Sequence, residues 1–219
     1  PGEITLAHRG VLFVDEFPEF DRRVIEALRE PLEERVITVA RAQGVYTFPA
    51  EFMLVAAMNP CPCGNYGDTT RDCACAPGAI LRYRKKISGP LLDRIDIHIE
   101  VPTVSYEKLK ESEGEESSVI RGRVEAARDR QTARFAGRAM RVNAEMGTRE
   151  VREYIPLTAS LDQTMRMAHD QFRLSLRAHH RVLKLARTIA DLEGSAEVCE
   201  RHLSEALHYR PRHEGTMEV

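Results

Sequence analysis

The sequence lacks several features that each define a class of protein. It contains no run of about 18 apolar residues, so it predicts no membrane-spanning helix, and it shows no secretory signal. Its formal net charge of −2 provides no general attraction for nucleic acid, which leaves that role to local basic patches. The ordinary apolar and charged fractions predict a cytoplasmic globular protein of one or two domains.

A short apolar run leads directly into two adjacent acids. Val-Leu-Phe-Val at 11–14, followed by Asp15 and Glu16, predicts a strand that is buried on both faces of a parallel sheet. Ligands of such sheets bind beyond the carboxyl ends of the strands, where the two acids would project. In P-loop ATPases the first acid holds Mg²⁺, and the second acts on the attacking water. A surface turn after a core strand is the alternative interpretation of this segment alone.

Two further segments combine a strand with a side chain suited to phosphate chemistry. Residues 51–60 predict a second apolar strand that ends on Asn59, and Pro60 terminates it because proline has no backbone donor. A third strand is predicted at 95–101. It follows Arg94, whose planar and permanently charged guanidinium suits phosphate recognition.

Longer motifs surround these residues. They are GEITLAHRGVLFVDE at 2–16, AAMNPCPCG at 56–64 and SGPLLDRID at 88–96. Together they resemble AAA+ ATPases and, more narrowly, the magnesium-chelatase-like ComM (YifB) family, from residue 2 to about residue 210. The resemblance implies an α/β fold: a partial AAA+ P-loop core with a parallel sheet, followed by an α-helical lid domain.

The resemblance also implies a role for each motif residue. Asp15 would assist Mg²⁺, Glu16 would polarise water, and Asn59 would orient that water near the γ-phosphate of ATP. Arg94 would be an arginine finger that acts on the nucleotide of a neighbouring subunit, which implies a homo-oligomeric ring, expected to be a hexamer. In the lid, Arg177 near a helix start would reach back to the nucleotide phosphates.

The implied activity is ATP-driven branch migration of DNA during recombination of incoming strands in natural transformation. Two other classes share parts of the pattern. A magnesium-chelatase-type motor subunit, which assists metal insertion into a porphyrin, uses the same acids, asparagine and arginine, but the segment 59–64 and the second cysteine pair are typical of the ComM-like pattern. A non-catalytic ring scaffold is the other alternative.

The phosphate-binding loop Gly-x-x-x-x-Gly-Lys-Ser/Thr does not occur in this sequence. The backbone cradle and the lysine that hold the β- and γ-phosphates are therefore missing. Since the sequence begins at Pro1 within the first motif, we expect it to be the C-terminal part of a longer protein, inactive by itself. A family member that never bound ATP is the rival interpretation.

Four of the five cysteines lie close together in the sequence as two pairs, Cys61 with Cys63 and Cys73 with Cys75. Four thiolates match the coordination number of structural zinc, although each pair is separated by one residue where zinc sites usually have two or more. The alternative is a reduced loop with incidental thiols, because disulfides are improbable in the cytoplasm.

Between the two catalytic strands, residues 21–34 have the periodicity of a helix, with Val24, Ile25, Leu28 and Leu32 on one face. Alternating β-branched and aromatic residues at 36–39 and 45–48 predict a hairpin around a glycine-containing turn. In helicase-like ATPases a hairpin at this place points into the central channel of the ring. Arg41 is therefore a candidate phosphate contact to DNA, with a solvated turn arginine as the alternative.

The second half of the sequence predicts helices. An acidic linker at 105–116 precedes a long polar helix at 119–136, interpreted as a connecting helix, with a basic DNA-facing ridge as the alternative. Capping signals at Ser160 and Ser175 and a stop signal at Gly194 mark two lid helices, with Arg181 and Lys184 on a solvated face. The predicted divisions are 1–104 for the core, 105–147 for the linker and connecting helix, 148–212 for the lid, and 213–219 for a disordered tail.

Overall fold

The computed structural model describes residues 2–68, 70–102 and 114–210. The chain divides into two compact units, Pro1–Ile95 and Asp96–Val219. Most of the predicted acidic linker and the predicted tail at 213–219 lie outside the described residues, and the predicted domain limits stay predictions.

The first unit is a mixed α/β structure, as predicted. Strands β1 (Val11–Val14) and β4 (Met53–Ala56) pair in parallel, with Val11 opposite Met53 and Val14 opposite Ala56, and strands β2 (Val36–Arg41) and β3 (Gly44–Pro49) form an antiparallel hairpin. A 3₁₀ turn at Phe17–Glu19 follows β1. The elements are α1 (Glu3–Leu6), β1 (Val11–Val14), α2 (Arg22–Ala27), α3 (Arg29–Glu34), β2 (Val36–Arg41), β3 (Gly44–Pro49), β4 (Met53–Ala56), α4 (Pro77–Arg84) and α5 (Gly89–Leu92).

The prediction that β1 is buried on both faces is wrong for this structure. Val11 and Phe13 are 59% and 62% exposed, whereas Leu12 and Val14 pack against a hydrophobic core. Successive side chains of a strand point to opposite faces, and this core covers the face of Leu12 and Val14. The core consists of Phe17, Ile25, Leu28, Ile87 and Leu91.

The strand predicted at 95–101 is also wrong. These residues have no regular secondary structure, and Ile97, Ile99 and Val101 are exposed. A strand needs a neighbour to satisfy its backbone groups, and among the described residues no strand pairs with this segment.

The helix predicted at 21–34 forms as two shorter helices, α2 and α3, that meet at Leu28. Pro31 explains the break, because proline cannot donate to the carbonyl four residues earlier, at Ala27, and its ring crowds that group. Ile25 and Leu28 enter the core as expected, but Val24 is exposed.

The second unit is helical over the residues that the structure describes. Ser175 caps α9 as predicted, its hydroxyl accepting from the Ala178 N–H at 3.1 Å, and Gly194 ends this helix with φ 78°. Thr158, rather than Ser160, caps α8. The helices are α6 (Ser117–Arg134), α7 (Thr148–Tyr154), α8 (Ala159–Phe172), α9 (Leu176–Glu193) and α10 (Glu200–His208).

A buried polar network connects α6 to α9, and the sequence analysis missed it. Asp191 is fully buried and accepts from both terminal nitrogens of Arg134, from Arg187 Nε at 3.2 Å and from Asn143 Nδ2 at 2.8 Å. Arg187 is buried as well and donates to the backbone carbonyls that follow α9. The last turn of the predicted polar connecting helix is therefore held against α9.

The network predicts a large stability effect. Asp191→Asn should lower the free energy of unfolding by about 3 kcal/mol or more, because it leaves buried arginine charge uncompensated. Asp162→Asn is the control: it removes an exposed pair with Arg166 and should cost about 0.5 kcal/mol or less. Denaturant unfolding of both variants at pH 7 provides the comparison, and equal effects would contradict the role of the network.

The same network predicts how the effect depends on pH. Burial raises the pKa of Asp191, but hydrogen bonds from Arg134 and Asn143 and the charge of Arg187 outweigh it, so the pKa lies below its usual value. A carboxyl whose pKa is lowered on folding contributes stability above its unfolded pKa and loses it as the pH falls through the folded pKa. The difference between wild type and Asp191→Asn should therefore shrink on acidification.

Candidate functional site

The backbone bonds of β1 and β4 continue past both strand ends. The Ala57 N–H donates to the Val14 carbonyl at 2.9 Å, and the Phe17 N–H donates to the Ala57 carbonyl at 3.0 Å. The acid pair, Asp15 and Glu16, lies between these two bonds. The structure therefore holds the acid pair at the edge where β4 also ends, as the sequence analysis expected of parallel strands.

The turn at the acid pair has an uncommon backbone. Glu16 lies in the left-handed region, with φ 49° and ψ 40°, and its N–H donates to Asp15 Oδ1 at 2.8 Å. A side chain other than glycine in this region costs about 1 kcal/mol or more. Burial of the next two residues, Phe17 and Pro18, holds the turn in place. Both carboxylates are exposed, so they are open to a ligand.

The strand predicted over 51–60 is shorter in the structure, because β4 ends at Ala56; Asn59 lies three residues beyond that end and is exposed. Helix α4 contacts this residue, because the backbone of Asn59 hydrogen-bonds to the hydroxyl of Tyr83, a buried residue of that helix. Arg84 Nε donates to the Pro60 carbonyl at 3.2 Å. The sequence analysis missed Tyr83 and Arg84, since no spacing indicates that this helix packs against the segment after β4.

Arg94 follows α5 within the first unit, and its side chain is 10% exposed. Its Nε lies 3.1 Å from Glu33 Oε2 on α3, and its Nη1 donates to the Pro90 carbonyl at 2.6 Å. These contacts hold the guanidinium against its own chain. To act as an arginine finger, Arg94 would have to leave Glu33 and contact the nucleotide of a neighbouring subunit.

Arg177 lies in the second unit, as the second residue of α9, and is exposed. Its predicted contact with nucleotide stays a prediction. The predicted solvation of two other cations on this helix is wrong. Arg181 Nη1 lies 2.6 Å from Asp96 Oδ1, and Lys184 Nζ donates to the Ala144 carbonyl at 3.1 Å.

The predicted hairpin forms, and Arg41 lies at its tip. Arg41 is the last residue of β2 and pairs with Gly44, so Ala42 and Gln43 make a two-residue turn. Gly44 has φ 144°, which lies outside the range that other residues readily adopt. Arg41 is exposed, and Val45 is 69% exposed, but Val45 pairs with Ala40 and therefore lies on the opposite face of the hairpin. The hairpin therefore presents an exposed cation on one face of its tip.

The structure brings the four paired cysteines together. Cys61 Sγ lies 3.4 Å from Cys63 Sγ and 3.6 Å from Cys73 Sγ, and the latter two sulfurs are 3.6 Å apart. All four sulfurs, including that of Cys75, lie within 4.8 Å of one another. Cys61 is buried and the other three are partly or fully exposed. We refer to these four residues as the cysteine cluster.

The thiols of the cysteine cluster affect one another. Hydrogen bonds from the Asn65 backbone and from Cys61 lower the pKa of Cys63 to about 6. The hydrogen bond to Cys63 and burial raise the pKa of Cys75 to about 12. Hydrogen bonds within the cluster therefore favour the charged form of Cys63 and the neutral form of Cys75.

No helix among the described residues combines the length and the apolar character that crossing a bilayer requires.

Comparisons with known proteins extend over nearly the whole chain. The family model described as "Magnesium chelatase, subunit ChlI" matches residues 1–109, and the model described as "Magnesium chelatase, subunit ChlI C-terminal" matches residues 114–210. The first model therefore ends at residue 109 and the second begins at residue 114.

Individual relatives agree with the family models. The "Competence protein ComM" of Haemophilus influenzae is 44% identical over 212 residues, which are 96% of this chain and 40% of that protein. The "Uncharacterized protein YifB" of Escherichia coli is 44% identical over 213 residues, 96% of this chain and 41% of that protein. The "DNA replication licensing factor Mcm6" of Drosophila melanogaster is 25% identical over 215 residues, 94% of this chain and 25% of its own length.

The chain spans about 40% of the length of its ComM and YifB relatives. Because the matches cover almost all of its own sequence at 44% identity, the chain belongs to the magnesium-chelatase-like AAA+ family that includes ComM and YifB.

Proposed function

We propose that this chain is part of an ATP-hydrolysing AAA+ motor. The observation that carries the proposal is the position of the acid pair at the carboxyl end of a parallel strand pair, with Asn59 three residues beyond the second strand, in a chain of an AAA+ family. Ligands of parallel sheets bind at this edge. The proposal concerns the full-length protein, in which a phosphate-binding loop would have to complete the nucleotide site.

The residues at this edge suit Mg²⁺ and ATP. Mg²⁺ prefers oxygen ligands and is usually held by one or two carboxylates together with substrate phosphates, and Asp15 offers an exposed carboxylate. The bound ion would neutralise charge on the phosphates. Glu16 would accept a proton from the attacking water, and the Asn59 amide would orient that water. The backbone contacts of Asn59 with α4 would keep its amide at a constant position.

The proposed motor is a homo-oligomeric ring, with a hexamer as the expected size. Arg94 would complete the nucleotide site of the neighbouring subunit, and Arg177 would couple the state of the nucleotide to the position of the lid. The present contact of Arg94 with Glu33 would be the resting arrangement, to be exchanged for a phosphate when a neighbour binds ATP.

The proposed track of the motor is DNA, and the proposed process is branch migration during recombination in natural transformation, in the bacterial cytoplasm. The exposed Arg41 at the tip of the β2–β3 hairpin supports this proposal, because an arginine suits contact with a DNA phosphate. The name of the ComM relative, a competence protein, agrees with it.

Arg41→Ala tests the hairpin contact in the full-length protein. The substitution should weaken binding to branched DNA and reduce the slope of log affinity against log salt by about 1, because one arginine neutralises one phosphate. Arg166→Ala is the matched control, since Arg166 is an exposed cation on α8 of the other unit. Equal salt slopes for wild type and Arg41→Ala would contradict the contact.

A second candidate is a motor subunit of the magnesium-chelatase type, favoured by the two matching family models. Stimulation of ATP hydrolysis distinguishes the two functions. Branched or single-stranded DNA should raise the ATPase rate of the full-length protein, and its binding should weaken steeply with salt. Absence of DNA binding at low salt, with stimulation by a porphyrin-binding partner instead, would favour the chelatase function. A full-length protein without any ATPase activity would favour the scaffold.

A further inference from the structure

The sulfur positions of the cysteine cluster match a specific coordination geometry. A Zn–S bond of about 2.3 Å in a regular tetrahedron separates the sulfurs by about 3.8 Å. Three sulfur pairs lie 3.4 to 3.6 Å apart, and all four sulfurs fall within 4.8 Å. A single small cation at the centre of the cysteine cluster would reach every sulfur with little movement of the chain.

The backbone around the cysteine cluster is also arranged as in metal-binding knuckles. Gly64 and Gly67 have positive φ of 83° and 82°, so each turns the chain sharply between the two cysteine pairs. Backbone groups of Asn65 and Tyr66 hydrogen-bond to the sulfurs of Cys63 and Cys61. Such bonds to ligand atoms orient the ligands and offset their negative charge.

We propose that Cys61, Cys63, Cys73 and Cys75 form a structural zinc site with four thiolate ligands. Zinc binding would release the thiol protons, so that the site holds one Zn²⁺ and four S⁻ groups. Soft sulfur ligands in a tetrahedron select zinc or iron–sulfur centres over magnesium and calcium. Four protein ligands also leave no open position for a substrate, which is typical of structural sites.

The site has a second consequence, which rests on the proposed ATPase function. Cys61 is fully buried and lies two residues after Asn59. The intervening Pro60 accepts a hydrogen bond from Arg84, and the Arg84 guanidinium lies 4.9 Å from the centre of the Tyr66 ring. The cysteine cluster, α4 and the segment after β4 are therefore packed together. Zinc would act as a positioning group for Asn59, without touching the nucleotide.

The metal itself is tested on full-length protein purified without chelators. Elemental analysis should find about one zinc per chain. Cys73→Ser and Cys75→Ser should each lose most of that zinc, whereas Cys199→Ser, which removes the cysteine outside the cluster, should retain it. Replacement of the zinc by Co²⁺ should produce the visible absorption of a tetrahedral thiolate site, which also shows that the protein remains folded.

Three results would overturn the metal site. They are iron with acid-labile sulfide in place of zinc, disulfides within the cluster of freshly purified protein, or four titratable thiols with no metal in protein that remains folded. None of these measurements depends on ATP hydrolysis. A zinc-containing protein without ATPase activity would therefore reject the proposed function and leave the metal site established.

The positioning role is tested by removing and restoring zinc. Zinc-depleted wild type should keep its KM for ATP, while kcat falls by about 10-fold. Added zinc should restore kcat. Cys199→Ser should respond to depletion and restoration as wild type does. Unchanged kcat after complete loss of zinc would overturn the positioning role. An equal loss of ATP binding would overturn it as well, because zinc would then act on the whole nucleotide site and not on Asn59.

Discussion

Glu16→Gln should retain ATP binding in the full-length protein and lower hydrolysis by about 10²-fold or more, because a positioned general base typically supplies acceleration of that order. The substitution keeps the shape of the side chain and its place after Asp15, where the backbone is left-handed. It removes only the carboxylate that would accept a proton from water. Equilibrium nucleotide binding and steady-state turnover provide the two measurements.

The control for this prediction is Glu19→Gln. Glu19 lies three residues later and pairs with Lys86 at 3.1 Å, with both side chains about half exposed. Its loss should leave turnover within about twofold of wild type, since exposed ion pairs contribute little. Wild-type turnover by Glu16→Gln would remove Glu16 from the mechanism. Loss of ATP binding by this variant would instead assign it to holding Mg²⁺.

Arg94→Ala should assemble and bind ATP but hydrolyse it about 10³-fold more slowly, which is the lower end of what an arginine finger contributes. The structure adds a complication, because Arg94 also pairs with Glu33 on its own chain. A loss of activity could then come from a loosened α3. Oligomer size, ATP affinity and turnover are all needed to separate the two causes.

The variant Glu33→Gln distinguishes loss of the arginine finger from loosening of α3. This variant breaks the ion pair with Arg94 but keeps the guanidinium. If Arg94 is a finger, Glu33→Gln should retain activity or gain some, since the arginine no longer has to leave an ionic partner. If Arg94 has only a structural role, Glu33→Gln and Arg94→Ala should lose activity to the same extent.

Mixed rings test whether Arg94 acts on a neighbour. When Arg94→Ala and Glu16→Gln subunits assemble together, roughly a quarter of the interfaces combine an intact Glu16 with an intact Arg94 from the adjacent subunit. Activity should therefore recover well above that of either variant alone. No recovery in rings shown to contain both subunits would contradict action in trans.

The sequence alone was sufficient to identify the family and two of the strands, but not where the second strand ends, because β4 stops at Ala56, three residues before Asn59. Apolar runs that stop at Asp15 and at Asn59 are local patterns, and strand pairing between their carboxyl ends follows from the rules of parallel sheets. The hairpin and the cap at Ser175 were predictable for the same reason, because turn geometry and capping depend on a few adjacent residues.

The sequence suggested a metal site at the cysteine cluster but did not establish that its four sulfurs lie together. The number and pairing of its thiols suggested a metal, while the spacing within each pair argued against one. Tertiary structure decided that all four sulfurs converge, because the turns at Gly64 and Gly67 bring two distant pairs together. Convergence depends on the path of the loop, which spacing does not specify.

Other features depended on tertiary structure alone. Burial of β1 on one face, the irregular backbone of 95–101 and the attachment of Arg94 to Glu33 depend on which elements are adjacent, and adjacency is not encoded in a local pattern. The same holds for Asp191, which looks like an ordinary surface acid in the sequence. Its fully buried position became possible because arginines from two separate helices reach it, and only the packing of those helices brings their charges together.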